Sequence, residues 1–496
     1  MECGYSEIKM DENMDQRINT TRSWTPFFRQ LFVCSGAWVI YFVLGLCFGA
    51  PTVFIPQIRK EANSSEIIST DMESWLTSVH GYSALPFVVM IPIFTQYVGR
   101  KIPFMVVNAT TIVAFIVFYW STTTMQLLIS EILQGMLLAS NMTLLIVIVT
   151  EYSSPRYRGV FTTIESSIFF YGVWVANAIG TWFHWKNIGI IAFIGCAYCL
   201  SAFFWPESPS WLALKGRFEE CAASHHWLKG YDTESEKELE SLINSQKAYL
   251  KSCERHRVTS YKDKLRRVVE VFTTKGFYQP LLLGVAVMSL YHFSGKLVCT
   301  MYAVELIRQI TKSEYTAFMG MLILEGFTIL GMQVGCVLSK YLKRRTLLLL
   351  FSAIGITFLY IISLYLYLIK LGVVNENKIV SILLMIVFSV TISIGPMIVP
   401  SSLFGEIIFL RYKSASLLIL TLYSELLMAT VLKMSPHIFK VFTLHGAFLF
   451  YAVSATIFSI ILYKYLPETK DKTLQEIEEY FIKRPKSDKV AKELIE

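Results

Sequence analysis

Long uncharged apolar stretches, separated by short charged segments, dominate the sequence. One stretch covers residues 30–58, and others cover residues 74–99, 102–130 and 346–369. A helix needs about 20 apolar residues to cross the roughly 30 Å of hydrocarbon in a bilayer. Each stretch is long enough, so the pattern predicts a protein that crosses a membrane several times.

The pattern contains twelve candidate spans. Their predicted first residues are Leu31, Ser74, Pro103, Leu127, Gly159, Asn187, Tyr278, Tyr315, Thr346, Val380, Ser414 and Thr443. In lipid the backbone must satisfy its own hydrogen bonds, so these spans are expected to be helices rather than open strands. The predicted fold class is an all-α polytopic membrane protein with twelve transmembrane helices.

Composition agrees with this architecture. Of the 496 residues, 54% are hydrophobic and 17% are charged, whereas a soluble domain carries about 25% charged residues. The net charge of +8 is explained by the basic loops of a membrane protein, so we expect no nucleic-acid partner. We find no nucleotide-binding loop, catalytic triad or metal-ligand spacing. We therefore expect no enzyme activity, no cofactor and no metal site.

The basic residues orient the chain. If both termini lie in the cytosol, the inner loops are basic and the outer loops hold few basic residues, with Arg59 and Lys60 offset by Glu61 and Glu66, which is the positive-inside bias. The inner basic residues are Arg100, Lys101, Arg156, Arg158, Lys340, Lys343, Arg344, Arg345, Arg411 and Lys413. The first 30 residues are polar, and the apolar stretch after them is too long for a cleaved signal peptide. The sequon Asn63-Ser64-Ser65 then lies in the first outer loop, which predicts a glycosylated Asn63 on a plasma-membrane protein.

Residues 206–276 form one long inner loop that is dense in charge. Residues 234–250 within it have the periodicity of an amphipathic helix. Two interpretations stay open. The loop is either a solvated linker or a structured lid on the inner ends of the spans.

Charged motifs at the inner ends of the spans recur in the second half of the chain. Gly99-Arg100-Lys101 after the second span corresponds to Lys343-Arg344-Arg345 after the eighth. Residues 151–159 correspond to residues 406–414, and Pro206-Glu207-Ser208 corresponds to Pro467-Glu468-Thr469. The repeat predicts two pseudo-symmetric six-helix halves, residues 31–205 and 277–466, joined by the loop and flanked by tails of residues 1–30 and 467–496.

The charges of this repeat predict a gate. Ion pairs across the two halves would hold the inner face shut and break when it opens. The predicted network comprises Arg100, Glu151, Arg158, Glu207, Arg344, Arg345, Glu406, Lys413 and Glu468.

These motifs, in this order, resemble those of the sugar porter family of the major facilitator superfamily. The signatures are Glu151…Pro155-Arg-Tyr-Arg158-Gly159, Pro206-Glu-Ser-Pro-Ser-Trp211 and Pro467-Glu-Thr-Lys-Asp-Lys-Thr473, and the match covers about residues 36–479. Within that family, the chain is similar to the insect facilitated trehalose and hexose transporters. The resemblance implies the major facilitator fold, alternating access and a substrate site between the halves.

The chain departs from the family pattern where the family binds sugar. Span seven of the family reads Gln-Gln-x-Ser-Gly-Ile-Asn, and here residues 291–297 read Tyr-His-Phe-Ser-Gly-Lys-Leu. Ser166 takes the position of a glutamine in span five, and Ser401 takes that of a tryptophan in span ten. Ser424 and Glu425 take the positions of the Asn-Trp pair in span eleven. The candidate substrate-binding residues are Ser166, Tyr291, His292, Ser294, Gly295, Lys296, Leu297, Ser401, Ser424 and Glu425.

These replacements bear on the substrate. A millimolar sugar site is worth only about −4 kcal/mol, and each hydrogen bond contributes roughly 0.5–1.5 kcal/mol. Loss of three or four amide hydrogen bonds would remove most of that affinity. We therefore expect the substrate site to be altered, and hexose or trehalose transport does not simply carry over.

Charged residues inside the predicted spans are the other departure. They are Glu131, Glu165, Lys296, Glu325 and Glu425. A charge at mid-bilayer costs about 2.5–3.5 kcal/mol, so each is expected to face a cavity or a partner. Three interpretations of Lys296 stay open: part of a site for an anionic or polar substrate, an ion pair with a glutamate such as Glu165 or Glu425, or snorkelling toward the interface.

The coupling mechanism is predicted from the first span. It has no carboxylate in residues 30–58, where the resemblance implies an aspartate in proton symporters. We therefore predict a facilitative transporter whose partners are a small solute, such as a sugar or polyol, and the lipid bilayer. His292, Glu165 or Glu425 could still carry protons in a symporter. A sensor or scaffold that keeps the fold but has lost transport is the other alternative.

Overall fold

Helices make up the regular structure of this computed structural model, which describes residues 24–64, 67–255, 274–408, 413–470 and 481. Ten helices in these ranges are long and apolar enough to cross a membrane. The last of them, Ala415–Tyr465, holds two spans because Thr443 leaves helical geometry at φ 59° and ψ 174°. A shorter apolar helix, Lys378–Ile394, provides one more span. The predicted all-α fold of twelve spans is confirmed.

We number the spans 1 to 12 in chain order. Spans 1 to 6 are Thr25–Glu61, Thr70–Val98, Lys101–Trp120, Thr124–Tyr152, Pro155–Trp182 and Asn187–Phe204. Span 7 consists of Lys275–Phe293 and Lys296–Met301 and is followed by a short helix, Ala303–Thr311. Spans 8 and 9 are Glu314–Tyr341 and Arg344–Lys370, and span 10 consists of Lys378–Ile394 and Val399–Ile407. Spans 11 and 12 share the helix Lys413–Tyr465, divided at Thr443, which is also the predicted first residue of the twelfth span.

Three shorter helices follow span 6. They are Pro209–Leu214, Phe218–Lys229 and Thr233–Arg255, and we call the face of the bundle that carries them the loop face and the opposite one the far face. The Arg29 guanidinium of span 1 donates to the Trp227 carbonyl at 2.9 Å and lies over the Trp227 ring. The helix Phe218–Lys229 is therefore packed on the end of span 1, and Thr233–Arg255 packs on the other loop helices, which favours the lid interpretation over a solvated linker. Residues 256–273 lie outside the described ranges.

Polar caps fix where several spans begin on the far face. Ser69 accepts a hydrogen bond from the first turn of span 2, and Ser313 and Asn377 do the same for spans 8 and 10. Thr123 and Gln126 form a reciprocal capping box at the start of span 4. These side chains satisfy backbone N–H groups that a helix leaves without an internal partner.

Spans 1 and 5 approach each other through small residues. A Cβ added to Gly45 would lie 2.0 Å from the Phe169 carbonyl oxygen, and one added to Gly172 would lie 2.2 Å from that of Phe42. One turn further along span 1, Gly49 packs against Ala176 in the same way. Small residues four apart allow this backbone contact between membrane helices. This contact holds the N-terminal half together at its centre.

Span 7 is interrupted in its middle. The first segment ends at Phe293, and Gly295 has a φ of 75°, a left-handed conformation that glycine adopts without steric cost. Lys296 then begins the second segment. Interrupted helices are a common way to place binding groups at mid-membrane in transporters.

The contact between spans 1 and 5 predicts an asymmetric response to a single added methyl group. Gly45→Ala is expected to lower the free energy of unfolding by about 1–3 kcal/mol, because the methyl group overlaps a backbone carbonyl. Gly159→Ala, in the same half and with open space around it, is the matched control and is expected to be neutral or stabilising. Thermal unfolding of the two purified variants in detergent provides the measurement. Equal melting temperatures would contradict the packing described.

Candidate substrate site and gate networks

A charged network ties three spans of the N-terminal half together at the loop face. The Arg100 guanidinium donates to both carboxylate oxygens of Glu151, at 2.8 and 2.9 Å. The Glu207 carboxylate accepts from the Arg100 backbone N–H at 2.8 Å, and the Ser208 hydroxyl donates to Glu151. A bidentate arginine–carboxylate pair fixes orientation as well as charge, so this network holds the ends of spans 2, 4 and 6 together.

The C-terminal half repeats the arrangement. Arg344 Nε donates to Glu406 at 3.3 Å, and the Arg344 backbone N–H donates to Glu468 at 3.0 Å. The Thr469 hydroxyl donates to Glu406, as Ser208 does to Glu151. The internal repeat seen in the sequence is therefore a repeat of three-dimensional contacts.

The sequence predicted ion pairs across the two halves at the loop face. The described residues form no such pair in this structure. Among the described residues, each ion pair there joins groups of one half or of its loop helices. Arg158 donates to the nearby Ser153 carbonyl at 3.4 Å, and Arg345 donates to the Tyr463 carbonyl. The side chain of Lys413 lies outside the described part. The carboxylates are engaged by the arginines of their own half, so none bridges to the other half in this conformation.

The halves meet instead along the far face, in contacts that we call the far-face seam. The Lys433 ammonium of span 11 lies 3.1 Å from the centre of the Trp75 ring of span 2. The Thr77 and Tyr302 hydroxyls are 2.6 Å apart, and the Thr52 hydroxyl donates to the Met301 carbonyl at 3.0 Å. These contacts join spans 1 and 2 to spans 7 and 11. The conformation is thus closed at the far face.

A second inter-half contact lies near the middle of the bundle. Trp174 of span 5 donates through Nε1 to the Leu322 carbonyl of span 8 at 3.2 Å. Phe170 packs against Ile329 and Met332. The halves therefore touch from the far face to the centre, and the described residues show no hydrogen bond between them at the loop face.

Candidate substrate residues from spans 7 and 11 come together at this central level. His292 Nε2 is 2.9 Å from the Ser424 hydroxyl, and Tyr291 is within electrostatic range of Glu425. Ser294 donates to the Tyr291 carbonyl at 2.7 Å and so stabilises the end of the first segment of span 7.

Other predicted site residues are placed differently. Leu297 is buried in the main apolar core, where it offers no polar group. The side chains of Ser166 and Ser401 lie outside what the structure describes.

Lys296 forms a buried ion pair. Its ammonium is 3.1 Å from Glu325 of span 8 and 2.9 Å from the Thr300 hydroxyl, which itself donates to Glu325 at 2.9 Å. The Lys296 and Glu325 side chains are both 1% exposed. Of the three interpretations of Lys296, the structure supports the ion pair. The partner is Glu325 rather than Glu165 or Glu425, the glutamates named from the sequence. Lys296 and Thr300 stand one helical turn apart, and Glu325 faces both of them.

The remaining intramembrane carboxylates have different surroundings. Glu131 of span 4 faces His80 of span 2 at 3.8 Å, and Glu165 lies beside Tyr41 of span 1. Glu425 is buried, with a carboxylate oxygen that has no hydrogen-bond partner. His80 was not singled out from the sequence, although a histidine inside an otherwise apolar span was the available signal.

Comparison with known proteins agrees with this geometry. Residues 51–481 match the family described as sugar (and other) transporter. The chain belongs to this family. It is therefore a transporter of sugar-porter type rather than an enzyme.

Individual relatives are distant but extend over most of the chain. The sugar porter is 20% identical to the facilitated trehalose transporter Tret1 of Apis mellifera ligustica, over 96% of its own length and 93% of that protein. It is 23% identical to Tret1 of Anopheles gambiae over 92% of its length, but it spans about half of that relative, 56%. It is 23% identical to the sugar transporter ERD6-like 6 of Arabidopsis thaliana, covering 78% of this chain and 77% of that protein.

Solved structures show the same fold. An inward open conformation of the xylose transporter XylE from E. coli superposes with a TM-score of 0.70 at 15% identity, covering 91% of the sugar porter and 99% of XylE. The proton:xylose symporter XylE bound to 6-bromo-6-deoxy-D-glucose gives a TM-score of 0.69 at 15% identity over 90% of this chain. These likenesses establish the major facilitator fold.

The Lys296–Glu325 pair predicts a non-additive double-mutant cycle. Lys296→Met alone, or Glu325→Gln alone, is expected to lower the stability of the sugar porter by about 3–5 kcal/mol, because each leaves one buried charge without a partner. The double variant removes both charges and is expected to recover most of that loss. Thermal unfolding in detergent measures the four proteins, and additive losses would contradict a direct pair.

The far-face seam predicts a shift in the resting conformation. Lys433→Ala removes a cation–π contact worth up to about 2 kcal/mol, which corresponds to an increase of up to roughly 30-fold in far-face opening. Lys440→Ala, an exposed lysine on the same span, is the control with the same loss of charge. In a Thr52→Cys background, a membrane-impermeant maleimide applied to the far face should label the Lys433 variant faster. If both lysine variants label at the parent rate, the contact does not hold the far face closed.

Proposed function

We propose that this chain is a facilitative, alternating-access transporter of a small polar solute of the sugar or polyol type. The relatives named facilitated trehalose transporter support a facilitator. So does the first span, which has no carboxylate in residues 30–58.

One observation supports the alternating-access mechanism most directly. Each half is closed on itself at the loop face by its own arginine–glutamate network, and the halves meet only toward the far face and the centre in the described part. Two rigid bodies that touch in this way can rock about the central contact. Rocking would open the space between them to one face and close it to the other.

The membrane orientation follows from the same two faces. The loop face carries Arg100, Lys101, Arg344 and Arg345, so the positive-inside bias puts it in the cytosol together with both termini. Asn63 is exposed on the far face, where a glycan can be attached in a plasma-membrane protein. The conformation described would then be the one that receives solute from the cytosol.

The substrate differs from that of ordinary sugar porters because the binding amides are missing. Tyr291 and His292 stand where the family resemblance implies glutamines, and Leu297 stands where it implies an asparagine. The His292 ring is already engaged with Ser424 through one nitrogen. An amide offers two donors and an acceptor, and leucine offers none. Uptake of glucose and trehalose is therefore expected to be weak.

Radiolabelled uptake in cells that lack endogenous transport tests the proposal. Saturable uptake of a sugar or polyol, independent of a proton gradient, is the expected result. Tyr291→Gln/His292→Gln/Leu297→Asn is expected to raise glucose uptake, because three amides are restored. All rates are normalised to the protein labelled at the cell surface.

Three outcomes would contradict this proposal in different ways. Absence of flux for a broad panel, in protein shown to reach the surface, would favour a sensor or scaffold. Loss of uptake when the proton gradient is collapsed would identify a symporter. Strong native trehalose uptake would show that the site is not altered.

A further inference from the structure

Two buried carboxylates of the spans, Glu165 and Glu425, have no ion pair among the described residues, and Glu425 is the one on the span that meets span 2 of the other half. Lys296 is neutralised by Glu325 at 3.1 Å, and Arg59 is paired with Glu73 at 2.7 Å. Glu131 faces a histidine. Glu425 is 6% exposed, and within the described ranges no ion pair reaches it.

Glu425 lies at the boundary between the halves. A Cβ on Gly81 of span 2 would be 3.3 Å from the Glu425 carbonyl oxygen, so the opposite half begins directly beside it. From this level to the far face, spans 2 and 11 are in contact through Tyr82 with Thr430 and through Trp75 with Lys433. Toward the loop face these two spans share no hydrogen bond or ion pair among the described residues. Glu425 therefore lies at the position on span 11 where the polar contacts between spans 2 and 11 end.

Polar groups of spans 7 and 11 lie at the same level of the bundle. Tyr291 is within electrostatic range of the carboxylate of Glu425, and Ser424 is the chain neighbour of Glu425. His292 uses Nε2 toward Ser424, while its Nδ1 is buried without a partner. One carboxylate oxygen of Glu425 is likewise buried and unpartnered. A buried polar atom without a partner in the chain needs an explanation such as a bound water, an ion or a functional role.

We propose that Glu425 binds a protonated amine on the transported solute, and that the neighbouring hydroxyls and His292 bind its hydroxyl groups. The solute class is an amino sugar or another hydroxylated amine. This inference rests on the proposed transport function and names its cargo. It replaces one of the three sequence interpretations of Lys296, that of a site for an anionic or polar substrate, because the charge of Lys296 is satisfied within the C-terminal half.

The energetic reason is the cost of an isolated buried charge. An ionised carboxylate removed from water is stable only when a cation or several donors compensate it. A bound ammonium supplies that compensation through a charge-assisted hydrogen bond, which is shorter and stronger than a neutral one. A neutral sugar of the same shape supplies only hydroxyl donors. The amine is therefore expected to bind on the order of 10- to 100-fold more tightly.

The test compares three solutes of similar shape with different charge. They are D-glucosamine, D-glucose and N-acetyl-D-glucosamine, offered at slightly acidic pH so that the free amine is protonated. Uptake in transport-null cells is measured together with the thermal stabilisation of the purified full-length protein by each solute. The variants are Glu425→Gln, which removes the charge at constant shape, and Glu425→Asp, which keeps it. Glu131→Gln is the control, a buried carboxylate of the other half that faces His80.

We expect a preference for D-glucosamine in both measurements. Glu425→Gln should lose this preference, whereas Glu425→Asp and Glu131→Gln should retain it. Uptake or stabilisation by D-glucose that equals that by D-glucosamine would overturn the assignment and leave the proposed transport function standing. Stabilisation by D-glucosamine that depends on Glu425 but is accompanied by no flux would uphold the site and overturn transport. If uptake of a neutral sugar depends on a proton gradient, and this dependence disappears when Glu425 is replaced, then Glu425 is a proton carrier. That result would overturn the amine site.

Discussion

The need to neutralise charge in a low-dielectric interior governs this structure. Lys296 begins the second segment of span 7, and its ammonium is compensated by Glu325 and Thr300. Removing one partner of such a buried pair is costly, whereas the intact pair contributes less to stability than to a unique arrangement. The pair attaches the second segment of span 7 to span 8 beside the candidate substrate residues. It also withdraws the one lysine of that site from contact with a solute.

The same constraint operates at the loop face, where each half satisfies its own charges. The Arg100–Glu151 and Arg344–Glu406 pairs, each supported by a second carboxylate and a hydroxyl, repeat one geometry in the two halves. Charges that are engaged within a half do not resist separation of the halves. In the proposed rocking mechanism, motion is confined to the boundary between two bodies, and the far-face seam is the part of that boundary that opens during a transport cycle.

Much of this architecture could be predicted from the sequence. Apolar length identified the spans, including the break at Thr443, and the repeated motifs identified the two halves. The partner of Lys296 could not be predicted, because the break at Gly295 resets the helical phase and so changes which face of span 7 the lysine occupies. The sequence did not decide whether the loop is a solvated linker or a structured lid. That choice depends on tertiary contacts such as the one between Arg29 and Trp227. The pairing of gate residues within halves depends on the conformation, which the sequence does not specify.

A structure of the full-length protein in complex with D-glucosamine is the most direct test of this charge distribution. We expect the amine within hydrogen-bond distance of Glu425, with the Lys296 ammonium still on Glu325. A Lys296 ammonium turned away from Glu325 and bound to the solute, with Glu425 free of it, would contradict the account.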